Sequence, residues 1–133
     1  MAHPLRVLFV CVENACRSQM AEGFARHYGG GQIQAFSAGS KPRGTVDPTA
    51  VVIMAEKGIA LETHASKGLA DLPPVTWDAI VTMGCGDACP TIPAARRIDW
   101  QIPDPARQPL NGYRAIRDTI DQSVRRLLDE LRR

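Results

Sequence analysis

The residues best suited to chemistry are Cys11 and Arg17, which are separated by five residues and followed by Ser18. A loop that leads from a strand into a helix presents backbone N–H groups and the positive end of the helix dipole, and both favour a tetrahedral oxyanion. Arg17 can add a forked, permanently charged contact to two oxygens of that anion. The pattern predicts an oxyanion site, with a structural cysteine near a solvated arginine as the simpler alternative. The residues expected to bind the anion are Val12, Glu13, Asn14, Ala15, Cys16, Arg17 and Ser18.

The same loop predicts a nucleophile at Cys11. The positive field that attracts an oxyanion also stabilises a thiolate, which is the reactive form of cysteine. Ser18 is placed to donate a hydrogen bond to the Cys11 sulfur, and Asn14 is a residue type that tolerates the left-handed conformation of a tight loop. Nothing in the spacing requires Cys16, so we interpret Cys16 as a packing residue.

A second pair of cysteines, Cys85 and Cys89, follows a later apolar segment. Gly84 and Gly86 permit the backbone movement that Cys85 would need to reach two sulfur partners in turn. Thiol–disulfide exchange proceeds through such mixed disulfides. Zinc is the alternative use of these thiols, but the chain has no Cys-x2-Cys pair and its three histidines are scattered. We therefore expect redox chemistry and no metal.

Asp104 and Pro105 lie between the last predicted strand and the last predicted helix. A carboxylic acid at this position could protonate the oxygen that leaves when sulfur attacks the oxyanion. An Asp-Pro turn without any function is equally compatible with the sequence. From the residues alone, both interpretations of Asp104 stay open.

The elements that must position these residues alternate between strand and helix. Apolar runs predict strands at 5–10, 33–37, 79–83 and 98–100. A helix is expected from Arg17 to the glycines at 29–31, and a second from Asp47 as N-cap to Gly58. A third follows apolar residues spaced by three and four from Tyr113 to Leu131.

This order predicts an α/β fold, a single domain over residues 1–133 with a four-stranded parallel sheet flanked by helices on both faces. Ligands of such sheets bind beyond the carboxyl ends of the strands. Both cysteine loops and Asp104 are expected at that edge.

The composition limits the partners. The 133 residues are 44% hydrophobic, which suffices for one core, and 16 basic residues nearly balance 14 acidic ones. The sequence shows no basic stripe for nucleic acid and no segment typical of a secretory signal or a membrane span. We expect a cytoplasmic monomer that binds neither nucleic acid nor membranes, with its cysteines kept reduced.

Together, segments 11–22 and 84–90 and the Asp104-Pro105 pair closely resemble the thioredoxin-coupled, cysteine-relay arsenate reductases, which have the low-molecular-weight protein tyrosine phosphatase fold. The motifs occur in the family's order and at similar spacing, from the first strand to the C-terminal helix. The resemblance covers nearly the whole chain.

The resemblance implies a sequence of steps. Cys11 attacks arsenate held by the loop and Arg17, while Asp104 assists the loss of an oxygen. Cys85 then attacks Cys11 and arsenite leaves. Cys89 next attacks Cys85, and thioredoxin reduces the resulting disulfide. The relay needs no bound cofactor, and phosphate or sulfate can mimic arsenate.

Two departures from the family pattern concern the reductant and a cation. The interval from Cys85 to Cys89 is shorter than in the best-known thioredoxin-coupled members, and other members use glutathione and glutaredoxin. Some relatives bind potassium through residues matching Asn14, Glu22, Ser37 and an aspartate. This chain has Lys67 where the aspartate is expected, so we predict no potassium site.

Two competing functions remain. A tyrosine phosphatase could use the same loop and Asp104, but such enzymes of this fold usually carry aromatic residues directly after the Asp-Pro pair, where this chain has Ala106, Arg107 and Gln108. A phosphatase also has no use for Cys85 and Cys89. A non-catalytic oxyanion-binding or redox-sensing domain would use the loop without turnover.

Overall fold

The computed structural model describes residues 3–84 and 92–133. The strands are β1 (Leu5–Cys11), β2 (Ile33–Gly39), β3 (Trp77–Thr82) and β4 (Ala94–Asp99). The α-helices are α1 (Arg17–Gly29), α2 (Pro48–Ala55) and α3 (Leu110–Leu131), and short 3₁₀ helices span Gly30–Gln32 and Leu69–Asp71. Cys85 and Cys89, the two predicted relay thiols, lie outside the described residues.

The four strands form one parallel sheet in the order β2-β1-β3-β4. At its centre, Val10 of β1 is paired with Ala38 on one side and with Thr82 on the other. Because the strands are parallel, β1 and β3 deliver the residues that follow them to the same edge. The predicted four-stranded parallel α/β fold is confirmed.

The two faces of the sheet are covered differently. All three α-helices pack on one face, where Phe9 and Val81 join the core with Phe24 of α1 and Ile120 of α3. On the other face, Leu8, Val10 and Ile80 are covered by the segment that contains the 3₁₀ helix Leu69–Asp71. We predicted helices on both faces. Among the described residues, the second face carries the 3₁₀ helix Leu69–Asp71 and its flanking loop in place of an α-helix.

The fourth strand starts earlier than the sequence predicted. We expected it at 98–100, whereas β4 spans Ala94–Asp99. It lies at the edge of the sheet, and Arg96 and Arg97 are exposed. An edge strand needs no continuous apolar run, so the hydrophobic pattern detected only its end.

The longest helix, α3, is amphipathic as expected. Tyr113, Ile120 and Val124 are buried on one side, and charged residues occupy the other. Its apolar stripe therefore covers the sheet together with α1. Of the helices in residues 3–84 and 92–133, none combines the length and the hydropathy that crossing a bilayer requires.

Candidate active site

The loop between β1 and α1 forms the base of a cavity of about 170 Å³. β1 ends at Cys11 and α1 begins at Arg17, so the predicted loop joins a strand to a helix N-terminus. The cavity lies at the carboxyl edge of the sheet, as expected for this fold. Its lining residues are Cys11, Val12, Glu13, Ala15, Cys16, Arg17 and Asp104.

The predicted nucleophile, Cys11, is buried, with 3% of its surface exposed. Its Sγ lies 2.9 Å from the hydroxyl of Ser18, which in turn accepts a hydrogen bond of 2.8 Å from Asn14 Nδ2. Because the Asn14 amide donates to this oxygen, the hydroxyl proton of Ser18 is free to point toward the sulfur. Ser18 is therefore placed to donate a hydrogen bond to the Cys11 sulfur, as the sequence predicted.

The loop keeps its shape through an unusual backbone conformation and a close contact. Asn14 has φ 51°, the left-handed conformation that its residue type was expected to tolerate. A Cβ atom at Gly39 would lie 2.5 Å from the carbonyl oxygen of Val12 and 2.9 Å from the amide nitrogen of Asn14. Only glycine at the end of β2 lets the loop pack this closely.

Behind the loop, a chain of hydrogen bonds continues from Asn14. Gln19 Nε2 donates to Asn14 Oδ1 at 2.9 Å, and Gln19 Oε1 lies 3.0 Å from His64 Nδ1. The backbone N–H of Lys67 also donates to Asn14 Oδ1, at 2.7 Å. Burial lowers the pKa of His64, which favours the neutral form of the ring in this series of hydrogen bonds.

Glu22 of α1 is a buried carboxylate surrounded by donors and cations. It is 2% exposed, accepts a hydrogen bond of 2.5 Å from Ser37 Oγ, and forms a 2.9 Å ion pair with Arg26. Lys67 Nζ lies 3.7 Å from Glu22 Oε1, and His64 Nδ1 lies 3.5 Å from Glu22 Oε2. The Lys67 ammonium group thus lies beside Glu22. This is the position where some relatives bind potassium and where we predicted no potassium site.

Arg17 reaches the cavity from the first turn of α1 and is 8% exposed. Its Nη1 donates a 3.1 Å hydrogen bond to the carbonyl oxygen of Ile102. A Cβ atom at Gly84 would lie 2.6 Å from the same Nη1. The guanidinium group therefore lies between Gly84, shortly after β3, and Ile102 in the loop after β4. This role of Gly84 was missed by the sequence analysis.

Asp104 lies in the loop between β4 and α3 and lines the same cavity as Cys11. Its Oδ1 accepts a 3.0 Å hydrogen bond from the backbone N–H of Ala106, and the side chain is otherwise exposed. This hydrogen bond fits the Asp-Pro turn, and the position at the cavity fits the general acid. Asp104 therefore both stabilises the turn and lies at the cavity, so the two interpretations of Asp104 do not exclude each other.

Cys16 also lines the cavity, but its thiol is engaged elsewhere. Its Sγ donates to Asp47 Oδ2 at 3.3 Å, and the hydroxyl of Tyr113 donates to the same oxygen at 3.0 Å. Asp47 was predicted only as the N-cap of α2, and its Oδ1 does accept from Thr49 N at 3.2 Å. Burial and the neighbouring Asp47 carboxylate raise the pKa of the Cys16 thiol to about 12.

Within the part of the chain that the structure describes, no three His, Cys, Asp or Glu residues are grouped so that they could hold a metal ion. Cys85 and Cys89 belong to segment 85–91, outside that part. The described geometry therefore concerns Cys11 and its surroundings, and the role of Cys85 and Cys89 as relay thiols stays a prediction from the sequence.

Comparison with known proteins identifies the family. The family model of the low molecular weight phosphotyrosine protein phosphatases matches residues 6–133. This chain belongs to that family. A solved structure of Vibrio vulnificus Wzb in complex with benzylphosphonate, 22% identical with a TM-score of 0.77 over 95% of this chain and 98% of that chain, shares the fold.

Similar members of the family are arsenate reductases. The glutaredoxin arsenate reductase of Synechocystis sp. is 36% identical over 129 residues, which are 95% of this chain and 98% of the relative. The arsenate reductase of Staphylococcus aureus (strain Newman) is 36% identical over 122 residues, 89% of this chain and 92% of the relative. The resemblance that the motifs indicated is confirmed.

Solved structures agree with these relatives. An arsenate reductase in the phosphate binding state is 34% identical with a TM-score of 0.85, over 95% of this chain and 98% of that chain. The thioredoxin-dependent arsenate reductase of Corynebacterium glutamicum is 32% identical with a TM-score of 0.79. That match covers 99% of this chain and 64% of the larger protein.

Proposed function

We propose that this protein is a single-domain arsenate reductase that converts arsenate to arsenite and so serves arsenic detoxification. The observation that carries the proposal is the placement of Cys11, hydrogen-bonded to Ser18, at the base of an anion-sized cavity with Arg17 and Asp104. Relatives over nearly the whole chain that are named arsenate reductases support the choice of reaction.

In the first step, the Cys11 thiolate attacks arsenic and an oxygen of arsenate leaves as water. Arg17 and the helix N-terminus stabilise the charge on the remaining oxygens. Asp104 donates the proton that the departing oxygen needs, a contribution of about 10²–10⁴-fold for a positioned acid. The product of this step is a Cys11 thiol-arsenate adduct.

In the second step, Cys85 attacks Cys11 Sγ. The sulfur–arsenic bond breaks, its electron pair stays on arsenic, and arsenite leaves. Cys89 then attacks the Cys85 sulfur, which frees Cys11 and leaves a Cys85–Cys89 disulfide. Two thiols are oxidised for each arsenate reduced, so the chemistry balances without a bound cofactor.

We propose thioredoxin as the donor that reduces this disulfide, in a cytoplasmic monomer that uses neither nucleic acid nor a membrane. A thioredoxin-dependent relative of solved structure supports this donor. The glutaredoxin arsenate reductase of Synechocystis sp. makes a glutathione and glutaredoxin couple the alternative. The short interval between Cys85 and Cys89 does not choose between the two.

A protein tyrosine phosphatase is the second candidate function, since the family model describes phosphatases. The same cavity would then form a phosphoryl-cysteine that water hydrolyses. The absence of aromatic residues at positions 106–108 disfavours a phenolic substrate.

Steady-state turnover tests the proposal. NADPH oxidation is followed with arsenate and either thioredoxin with thioredoxin reductase, or glutathione, glutaredoxin and glutathione reductase. We expect arsenate-dependent oxidation that is faster with thioredoxin, and little hydrolysis of para-nitrophenyl phosphate. Hydrolysis without any arsenate reduction by either couple would contradict the proposal. Arsenate reduction by the glutaredoxin couple alone would contradict thioredoxin as the electron donor but would support the proposed reaction.

A further inference from the structure

The cavity contains a second thiol that the proposed relay does not use. Cys11 and Cys16 both line it, and both are free and buried. Two cysteines beside one electrophile compete for it unless one of them stays protonated. The environment of Cys16 differs from that of Cys11 in a way that decides this competition.

Cys11 has a hydroxyl partner, whereas Cys16 has a carboxylate. The Ser18 hydroxyl can donate to a thiolate at Cys11, but Asp47 Oδ2, 3.3 Å from Cys16 Sγ, can only accept. Asp47 is itself 9% exposed, and its other carboxylate oxygen accepts the N-cap hydrogen bond from Thr49 N, which holds the carboxylate beside Cys16. A thiolate at Cys16 would face a fixed negative charge.

Charged groups from the other packed elements do not reverse this effect. Burial is the largest cause of the raised pKa of the Cys16 thiol. The Tyr113 hydroxyl of α3 lowers this pKa, but the carboxylates of Asp47 and of Asp104, from the loop before α3, raise it further. With its pKa raised to about 12, the Cys16 thiol stays protonated at neutral pH. Cys16 is therefore far less nucleophilic than an ordinary cysteine.

We propose that Asp47 is a positioning residue that holds the Cys16 thiol protonated, so that only Cys11 is nucleophilic in the oxyanion cavity. The consequence rests on the proposed arsenate reduction. Without Asp47, a Cys16 thiolate attacks Cys11 Sγ in the arsenate adduct, the sulfur–arsenic bond breaks, and arsenite leaves with the electron pair. The resulting Cys11–Cys16 disulfide bypasses Cys85 and removes the enzyme from the cycle.

The first test measures Cys16 alone. Replacing Cys11, Cys85 and Cys89 with serine leaves Cys16 as the only thiol of the four in the chain. Its alkylation by iodoacetamide is followed by mass from pH 7 to pH 10, with and without Asp47→Asn. Asparagine still accepts the N-cap hydrogen bond from Thr49, so α2 keeps its start. We expect alkylation to accelerate about tenfold or more, because one pKa unit changes the thiolate fraction tenfold.

Tyr113→Phe is the matched control. It removes the other donor to Asp47 Oδ2 from the same buried cluster and leaves the carboxylate beside Cys16. We expect no acceleration. Equal alkylation rates in the Asp47→Asn and parent proteins, or the same acceleration in Tyr113→Phe, would overturn the proposal. This measurement needs no arsenate, so its result is independent of the proposed function.

The second test uses the protein with its other cysteines intact. We expect the Asp47→Asn protein to lose activity progressively during arsenate turnover as the Cys11–Cys16 disulfide accumulates. Adding Cys16→Ser to Asp47→Asn should restore a constant rate. A rate that Cys16→Ser fails to restore would overturn the positioning role. If even the unmodified protein reduces no arsenate, the proposed function fails, and the alkylation result still decides the role of Asp47.

Discussion

Gly84 lies against the guanidinium group of Arg17, so closely that a Cβ atom at position 84 would be 2.6 Å from Arg17 Nη1. Gly84 also has φ 77°, a conformation that other residues adopt only with strain. Position 84, shortly after β3, therefore limits where the Arg17 guanidinium group can lie.

Gly84→Ala should displace the Arg17 guanidinium and lower kcat/KM for arsenate by about 10²-fold, because binding groups lose that much when shifted by about 1 Å. Gly58→Ala is the matched control. Gly58 has φ 75°, and a Cβ atom there meets nothing within 4 Å. The two variants thus carry a similar backbone strain, and only one touches Arg17. Equal kcat/KM values for the two variants would disprove the role assigned to Gly84.

Asp104→Asn should lower kcat for arsenate reduction by about 10²-fold, since asparagine cannot protonate the departing oxygen. Competitive inhibition by phosphate should change little, because binding depends on the loop and Arg17. Asp129→Asn, an exposed position near the end of α3, serves as control and should leave kcat unchanged. Full activity in the Asp104→Asn protein would show that Asp104 only stabilises the turn and is not the general acid.

The stability of the protein should not depend on whether sodium or potassium is present. Lys67 Nζ lies 3.7 Å from Glu22 Oε1 and supplies a positive charge to this buried carboxylate. Thermal unfolding in equal concentrations of NaCl and KCl should give the same Tm. Lys67→Gln should cost about 1 kcal/mol in both salts, because Arg26 still pairs with Glu22. A Tm that rises in KCl alone would show that a potassium site exists.

The contact between α2 and α3 should make stability depend on pH below pH 5. Glu56 accepts hydrogen bonds from Arg114 and Arg117, which lower the pKa of its carboxyl from 4.5 to about 2. A depressed pKa stabilises the fold above the unfolded value, and this contribution is lost as pH falls from about 4.5 toward 2. The free energies of unfolding of the wild-type and Glu56→Gln proteins, measured in urea, should therefore become equal as the pH falls over this range. A difference that stays constant with pH would refute the contribution of Glu56.

The sequence was sufficient for the parts of the molecule that depend on local pattern. Cys11, Arg17 and Ser18 are close in sequence, and the apolar strand before them identifies the loop. Strong alternation of strands and helices then fixed the parallel sheet. β4 was located only at its end, since Arg96 and Arg97 interrupt the apolar pattern of an exposed edge strand.

Contacts between distant segments could not be predicted in the same way. The hydrogen bond from Tyr113 to Asp47 joins residues 66 positions apart, and that from Arg17 to Ile102 spans 85. No periodicity connects such pairs. The sequence around Asp47 predicts an N-cap, and this local pattern gives no indication of its hydrogen bond with Cys16.

The most direct test of the central claim is to map the disulfides of the Cys89→Ser protein after a single turnover with arsenate. Cys16→Ser is added so that only Cys11 and Cys85 can pair. The relay predicts one arsenite per protein and a Cys11–Cys85 disulfide, whereas a Cys85→Ser protein should release no arsenite. Stoichiometric arsenite from the Cys85→Ser protein, or free thiols at both Cys11 and Cys85 after turnover, would contradict the relay.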